Sequence, residues 1–257
     1  MKSFLSSKHP IIVTMLKSKN MKEIIKDISA AKKEGTESFC LELEIFNQAE
    51  RTAENFKKIF EAMGDKPAYI TNYRRGNVAE YEQTDDQLTE ELLLALDCGG
   101  TLFDVRGDLF DVSPDEITYN EAAVQKQIKL IDEIHSRGKE VLMSSHTLRF
   151  TPMERVLEIA KAQQKRGADI AKIVTNADTD EELYENFRIS LALKKEIDIP
   201  VLFLCNGAAC RKHRLFAPLL GGPLYLCVQN GVEVISQPSM DEAKKLLKMS
   251  NYDLDIN

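Results

Sequence analysis

Along the chain, short apolar runs rich in β-branched residues alternate with longer stretches in which apolar positions recur every three or four residues among Glu, Lys and Ala. Side chains alternate faces every two residues on a strand, whereas a spacing of three to four marks one face of a helix. The first pattern predicts strands over 10–15, 38–45, 68–73, 101–105, 140–145, 169–175, 201–205 and 224–228. The second predicts helices over 21–33, 52–63, 87–97, 116–137, 152–166, 180–195, 211–220 and 240–249. Ser113-Pro114-Asp115-Glu116 and Thr151-Pro152-Met153-Glu154 both read as N-caps with proline in the first helical turn.

Eight strand–helix units in series, with nothing left over, predict an α/β fold closed as a (β/α)8 barrel of the TIM-barrel class, with residues 1–257 as one domain. An open doubly wound sheet is the competing topology. The absence of a GxGxxG turn removes the argument for a dinucleotide, and neither a cofactor nor a metal is expected.

Composition narrows the partners. A net charge of −7 argues against a nucleic-acid surface, which needs clustered Lys and Arg, and leaves a small molecule as the expected ligand. No stretch approaches the roughly 18 apolar residues of a membrane span, and the first ten residues lack a signal-peptide apolar region. The five cysteines, Cys40, Cys98, Cys205, Cys210 and Cys227, form no CxxC pair, which fits a reducing compartment and a cytoplasmic protein. The polar end at 250–257 is expected to fray.

Barrels of this class place reacting groups at the carboxyl ends of their strands. On the sixth strand, Ala168-Asp169-Ile170-Ala171-Lys172-Ile173-Val174 puts Lys172 on one face with Ile170 and Val174. A lysine taken out of water loses its preference for the ammonium form and becomes a nucleophile. The same pattern also fits a lysine paired with a carboxylate or snorkelling from a strand end. The second strand turns Cys40, Glu42 and Glu44 to the face opposite Phe39, Leu41 and Leu43, so two carboxylates are expected inside the barrel unless the strand is a solvated edge. The fifth strand ends in Ser144-Ser145-His146-Thr147, which sets an imidazole at the mouth, either structural or poised for proton transfer.

These segments together resemble a known family. Ser144-Ser145-His146-Thr147 with Thr151-Pro152, followed by Gly167-Ala168-Asp169-Ile170-Ala171-Lys172, is similar in order and spacing to the S-x-H-D-F…T-P and G-A-D-I-x-K pattern of the type I 3-dehydroquinate dehydratases. Asn206-Gly207, His213-Arg214 and Gly221-Gly222 resemble that family's M-G…S-R…G-S run, and Ser236-Gln237-Pro238 its S-A-P-G-Q loop. The likeness extends to Ile11-Ile12-Val13-Thr14, Glu42 and Tyr73-Arg74.

The resemblance implies a lyase that removes water from a carboxylated cyclic hydroxyketone, with 3-dehydroquinate as the leading substrate, through a Schiff base. Carried over by position, Lys172 is the imine-forming lysine, His146 the general base, and Glu42 the carboxylate that orients His146. Arg214 would bind the substrate carboxylate with its planar fork. Arg74, Ser236, Glu44, Thr14 and Met240 fall at further substrate-contacting positions, and a homodimer is implied. The departures are specific. Where the family has E-x-R-x-D on strand two, this chain has Glu42-Leu43-Glu44-Ile45-Phe46; where it has D-x-E on strand four, this chain has Asp104-Val105-Arg106. Met240 stands in place of a glutamine, and Arg74-Arg75-Gly76-Asn77-Val78 lacks the family's glycine pair. Two other readings stand beside this one: a metal-dependent barrel isomerase or lyase using Glu42, Glu44, Asp104 and His146, and a non-catalytic small-molecule-binding homologue.

Overall fold

A computed structural model describes residues 3–74, 83–234 and 236–250. Its strands are β1 (Ile11–Leu16), β2 (Ser38–Glu42), β3 (Ala68–Thr71), β4 (Leu102–Arg106), β5 (Glu140–His146), β6 (Ile170–Asn176), β7 (Val201–Asn206) and β8 (Leu224–Cys227). The helices that follow them are α1 (Met21–Lys33), α2 (Ala53–Met63), α3 (Asp85–Cys98), α4 (Glu121–Ser136), α5 (Met153–Lys165), α6 (Asp180–Glu196), α7 (Cys210–Phe216) and α8 (Met240–Met249). The strands pair in the order β7-β6-β5-β4-β3-β2-β1-β8, every ladder parallel, so the sheet curls into a nearly closed barrel with β7 and β8 at its seam. The (β/α)8 expectation holds.

Strand alternation sorts the core into two shells. Ile11, Val13, Cys40, Tyr69, Leu102, Leu142, Ile170, Val174, Leu202, Leu204, Leu224 and Leu226 fill the barrel interior. Their neighbours Ile12, Phe39, Leu41, Ile70, Phe103, Val105, Val141 and Met143 face outward and pack on the helices. This division decides which polar residues on the strands can reach the interior.

Helix starts are set by side-chain oxygens that accept the first free backbone N–H groups, each stabilising by about 1 kcal/mol. Asn20 and Thr52 cap α1 and α2, and Thr84, Thr179 and Ser239 form reciprocal capping boxes at α3, α6 and α8. Two expected starts are corrected. The helix expected from 116 begins at Glu121, capped by Asn120, because Ser113 and Glu116 close a turn in which Glu116 takes φ +48°. At α5, Pro152 is the cap position and has no side chain able to accept a hydrogen bond, while Thr151 donates to Thr147 Oγ1 at 2.7 Å. The helix expected over 211–220 ends at Phe216 and continues as a 3-10 turn, Ala217–Leu220, since Pro218 supplies no N–H for an α-helical bond. Residues 75–78, where the family's glycine pair is lacking, and the end from 251 lie outside the described residues.

Candidate active site

Lys172 stands on the inward face of β6 between Ile170 and Val174, and only 5% of it is exposed. Gln163 of α5 holds the strand at this point, accepting from the Lys172 N–H and donating to its carbonyl, both at 3.1 Å. Inside the barrel the amine donates to the Tyr73 hydroxyl at 2.7 Å and the Tyr69 hydroxyl at 3.0 Å, and pairs with Asp104 Oδ2 at 3.2 Å. Burial and pairing therefore occur together, and Asp104 is the counterion. Its carboxylate also accepts from Ser144, Tyr69 and Tyr73. Burial, then the Asp104 charge, pushes both phenols well above their ordinary pKa, so they stay protonated.

His146 ends β5 on the same interior face. It pairs across the ladder with Val174 while Ser144 pairs with Lys172, so the imidazole sits one side-chain layer nearer the mouth than the amine. Tyr73 lies against both: its hydroxyl meets the amine, and its ring packs edge-on to the imidazole with centroids 5.2 Å apart.

The carboxylate that orients His146 is Glu116, and this corrects the role expected of Glu42. Glu116 Oε2 accepts from the His146 ring Nδ1 at 2.7 Å and from its backbone N–H at 3.0 Å, while Oε1 pairs with Arg106 at 2.8 Å. A carboxylate only accepts here, so in the neutral ring Nδ1 carries the hydrogen and Nε2 is left as a free acceptor. Burial alone would raise the Glu116 pKa, but the hydrogen bond and charge of His146, with Arg106 behind them, hold it below its ordinary value. Gly107 makes this approach possible: a Cβ there would lie 2.5 Å from Glu116 O and 2.9 Å from Ser145 Oγ. Glu42 instead pairs with Lys17, just beyond β1, at 2.6 Å.

Glu44 lies in the turn after β2, with both carboxyl oxygens within 3.1 Å of the Thr71 hydroxyl. Burial, and then the neighbouring Glu42 charge, push its pKa up to about 8, so at neutral pH it is a hydrogen-bond donor. Arg214 of α7 is buried and donates to the Cys205 carbonyl and to Asn206 Oδ1, both at 2.6 Å. With the Gln237 amide oriented to satisfy its neighbours, its oxygen accepts from Arg214 Nη1 at 3.2 Å. These acceptors are neutral, which leaves the buried guanidinium suited to an incoming anion. Ser236 sits in the bend before α8, on the loop that carries Gln237.

Three further expectations are moved by the geometry. Thr14 faces outward, since Val13 belongs to the interior shell; its hydroxyl donates to Thr36 Oγ1 at 2.7 Å and approaches Met240 Sδ at 3.1 Å. Met240 is itself part of the layer beneath the helices. Neither lines the barrel interior. Arg74 is held by Asp85 and by Asp108, the latter at 2.9 Å, so its fork is already occupied. Glu42, Glu44, Asp104 and His146 do not form a group able to hold a metal ion; no such group exists among the described residues.

The family model for type I 3-dehydroquinase matches residues 12–253. The chain belongs to the type I 3-dehydroquinase family. A 3-dehydroquinate dehydratase of Methanosarcina acetivorans is 27% identical over 188 residues, covering 71% of this chain and 72% of that protein. One from Methanoregula boonei is 28% identical over 45% of this chain and 53% of its own. Among solved structures, a 3-dehydroquinate dehydratase from Geobacillus kaustophilus superposes with a TM-score of 0.82 at 15% identity, covering 98% of this chain and 96% of that one. The type I enzyme from Clostridium difficile does so at 0.81 and 18%, covering 96% and 94%. These two show the shared fold. Glu44, in the turn after β2, and Arg106, on β4, are the two departures from the family pattern at which charge is reversed.

Sequence reasoning missed Glu116, Tyr69 and Lys17. Tyr69 reads as core in an apolar strand, and Lys17 as one of many surface lysines. Glu116 carries no local signal, because only the turn at φ +48° brings it to a histidine 30 positions later.

Proposed function

We propose that this chain is an imine-forming dehydratase that converts 3-dehydroquinate, or a closely related carboxylated cyclic hydroxyketone, to its enone with loss of water. The observation that carries the reading is a buried amine on the inner face of β6 with an imidazole one layer above it, joined by Tyr73. In this reading the Lys172 amine condenses with the ketone, and the protonated imine draws electrons from the adjacent carbon. His146 Nε2 takes the proton from that carbon and returns it to the departing hydroxyl, which leaves as water. Arg214 pairs with the substrate carboxylate, with Ser236 beside it. Glu44, protonated, donates to a substrate hydroxyl where other members present a cation. That difference favours a substrate with an acceptor oxygen at this point and admits a ring compound related to 3-dehydroquinate as the second candidate.

The same proposal places the enzyme in the cytoplasm as a homodimer. The five free cysteines support a reducing compartment, and among the described residues no helix is long and apolar enough to cross a membrane. The dimer rests on the family likeness, and sedimentation of the purified chain tests it. The activity is tested by following the ultraviolet absorbance of a conjugated enone as the protein meets 3-dehydroquinate and related ring ketones. Growth of that absorbance, abolished in Lys172→Ala, is expected; no growth with any of them contradicts the proposal.

A further inference from the structure

We propose that the Tyr73 hydroxyl is a catalytic proton relay for imine formation at Lys172, an inference that rests on the imine reading above. Among the described residues three oxygens bond the amine, and Tyr73 is the nearest of them, at 2.7 Å against 3.0 Å for Tyr69 and 3.2 Å for Asp104. Position separates the two phenols. Tyr69 is fully buried within β3, whereas Tyr73 follows the strand at the mouth and is partly exposed, on the side from which a ketone would reach the amine. The ring is clamped between the His146 imidazole and the Arg106 guanidinium, whose central carbon lies 5.8 Å from its centroid. The hydroxyl itself donates to Asp104 Oδ2 at 2.6 Å. One phenolic oxygen thus accepts from the amine while its hydrogen is held by a group that can release it to a substrate oxygen.

The chemistry of condensation needs such a group. An ammonium and a ketone become an iminium and water, so two protons leave nitrogen and both end on the departing oxygen. In the first transfer Tyr73 gives its proton to the carbonyl oxygen and takes one from nitrogen as the C–N bond forms and the C=O π pair moves to oxygen. In the second it passes a nitrogen proton to the carbinolamine hydroxyl, the C–O bond breaks, and the nitrogen lone pair forms the C=N bond. Charge and protons balance with no outside donor. The His146 Nδ1 is committed to Glu116, so only its Nε2 is open to the substrate. The upward displacement of the Tyr73 pKa is consistent with a relay in which no phenolate accumulates.

The test is rapid-quench borohydride trapping with 3-dehydroquinate, read by intact-protein mass spectrometry, on the wild-type chain, Y73F and Y69F. Y73F is expected to form the Lys172 adduct about 10²-fold more slowly, the scale of one general acid–base group, and Y69F, which removes a hydrogen bond to the amine and to Asp104 but no relay, is expected to be slowed distinctly less. Imine formation then limits turnover in Y73F, so the isotope effect from substrate deuterated beside the ketone shrinks toward unity. A wild-type adduct with an equal Y73F rate overturns the relay alone, and equal slowing in Y69F overturns its assignment to Tyr73. No adduct in the wild-type chain overturns the imine reading instead. If circular dichroism shows Y73F unfolded, 3-fluorotyrosine at position 73 keeps the hydroxyl and lowers its pKa; the relay requires the trapping rate to change, and an unchanged rate and pH profile contradicts it.

Discussion

Glu116 Oε2 lies 2.7 Å from His146 Nδ1, and this contact fixes which imidazole nitrogen faces the barrel. Replacing Glu116 by Gln keeps the shape but allows an amide N–H to face Nδ1, favouring the other tautomer. Turnover is expected to fall by 10- to 100-fold, as an order of magnitude for a lost orienting partner, while borohydride still traps an adduct at Lys172. Steady-state rates and trapping yields measured on one preparation check both halves.

Gly107 offers an independent handle on the same contact. An alanine there meets Glu116 O at 2.5 Å, a backbone atom that has to move. Gly107→Ala is therefore expected to reproduce the Glu116→Gln kinetics without touching a catalytic group. A variant with normal turnover would show that the turn at Glu116 is not what sets His146.

The raised Glu44 pKa makes stability depend on pH. Glu44 is protonated in the folded chain up to about pH 8, whereas in the unfolded chain it ionises near its ordinary value. The folded state thus binds more protons between these values, and its stabilisation, full below the unfolded pKa, is lost as pH rises through that window, with a slope on the order of 1 kcal/mol per pH unit. Glu44→Gln should flatten this slope. Urea unfolding of both proteins at pH 5, 7 and 8.5 measures the difference; parallel curves would contradict a protonated Glu44.

Met240 lies beneath the helices, so restoring the family's glutamine should not restore a substrate contact. Met240→Gln buries an amide among apolar side chains and is expected to destabilise the fold by about 1–3 kcal/mol in urea, with unchanged turnover per folded molecule. A lowered KM for 3-dehydroquinate would mean that residue 240 reaches the pocket after all.

The fold was legible because strand and helix periods differ and because the interior shell repeats on all eight strands. Lys172 was legible for the same reason, as a charged residue inside an apolar alternation. Glu42 was placed in the barrel correctly, but its partner was not foreseen: Lys17, beside it at the end of the adjacent strand β1, claims it. The Thr14 position failed because β1 turns Val13 inward, and a one-residue step reverses the face of every side chain. Glu116 and the Tyr73–Asp104 contact were illegible because they join loops and strand ends far apart in sequence through turn geometry that residue type does not encode.

Arg214 extends the account to the substrate. Its hydrogen bonds to Cys205 O and Asn206 Oδ1 hold the guanidinium without neutralising it. Arg214→Gln should cost about 2–5 kcal/mol in kcat/KM for a carboxylated ketone, and much less for the same ketone as its methyl ester. Equal losses for both would remove the carboxylate from the Arg214 site.

The central claim is that the amine of Lys172, within 2.7 Å of the Tyr73 oxygen, bonds covalently to a ketone. Borohydride reduction in the presence of 3-dehydroquinate, followed by peptide mass spectrometry, tests it most directly. The account predicts a single reduced adduct on the peptide carrying Lys172, absent from Lys172→Ala; no adduct with any candidate ketone, or one at a different lysine, would contradict it.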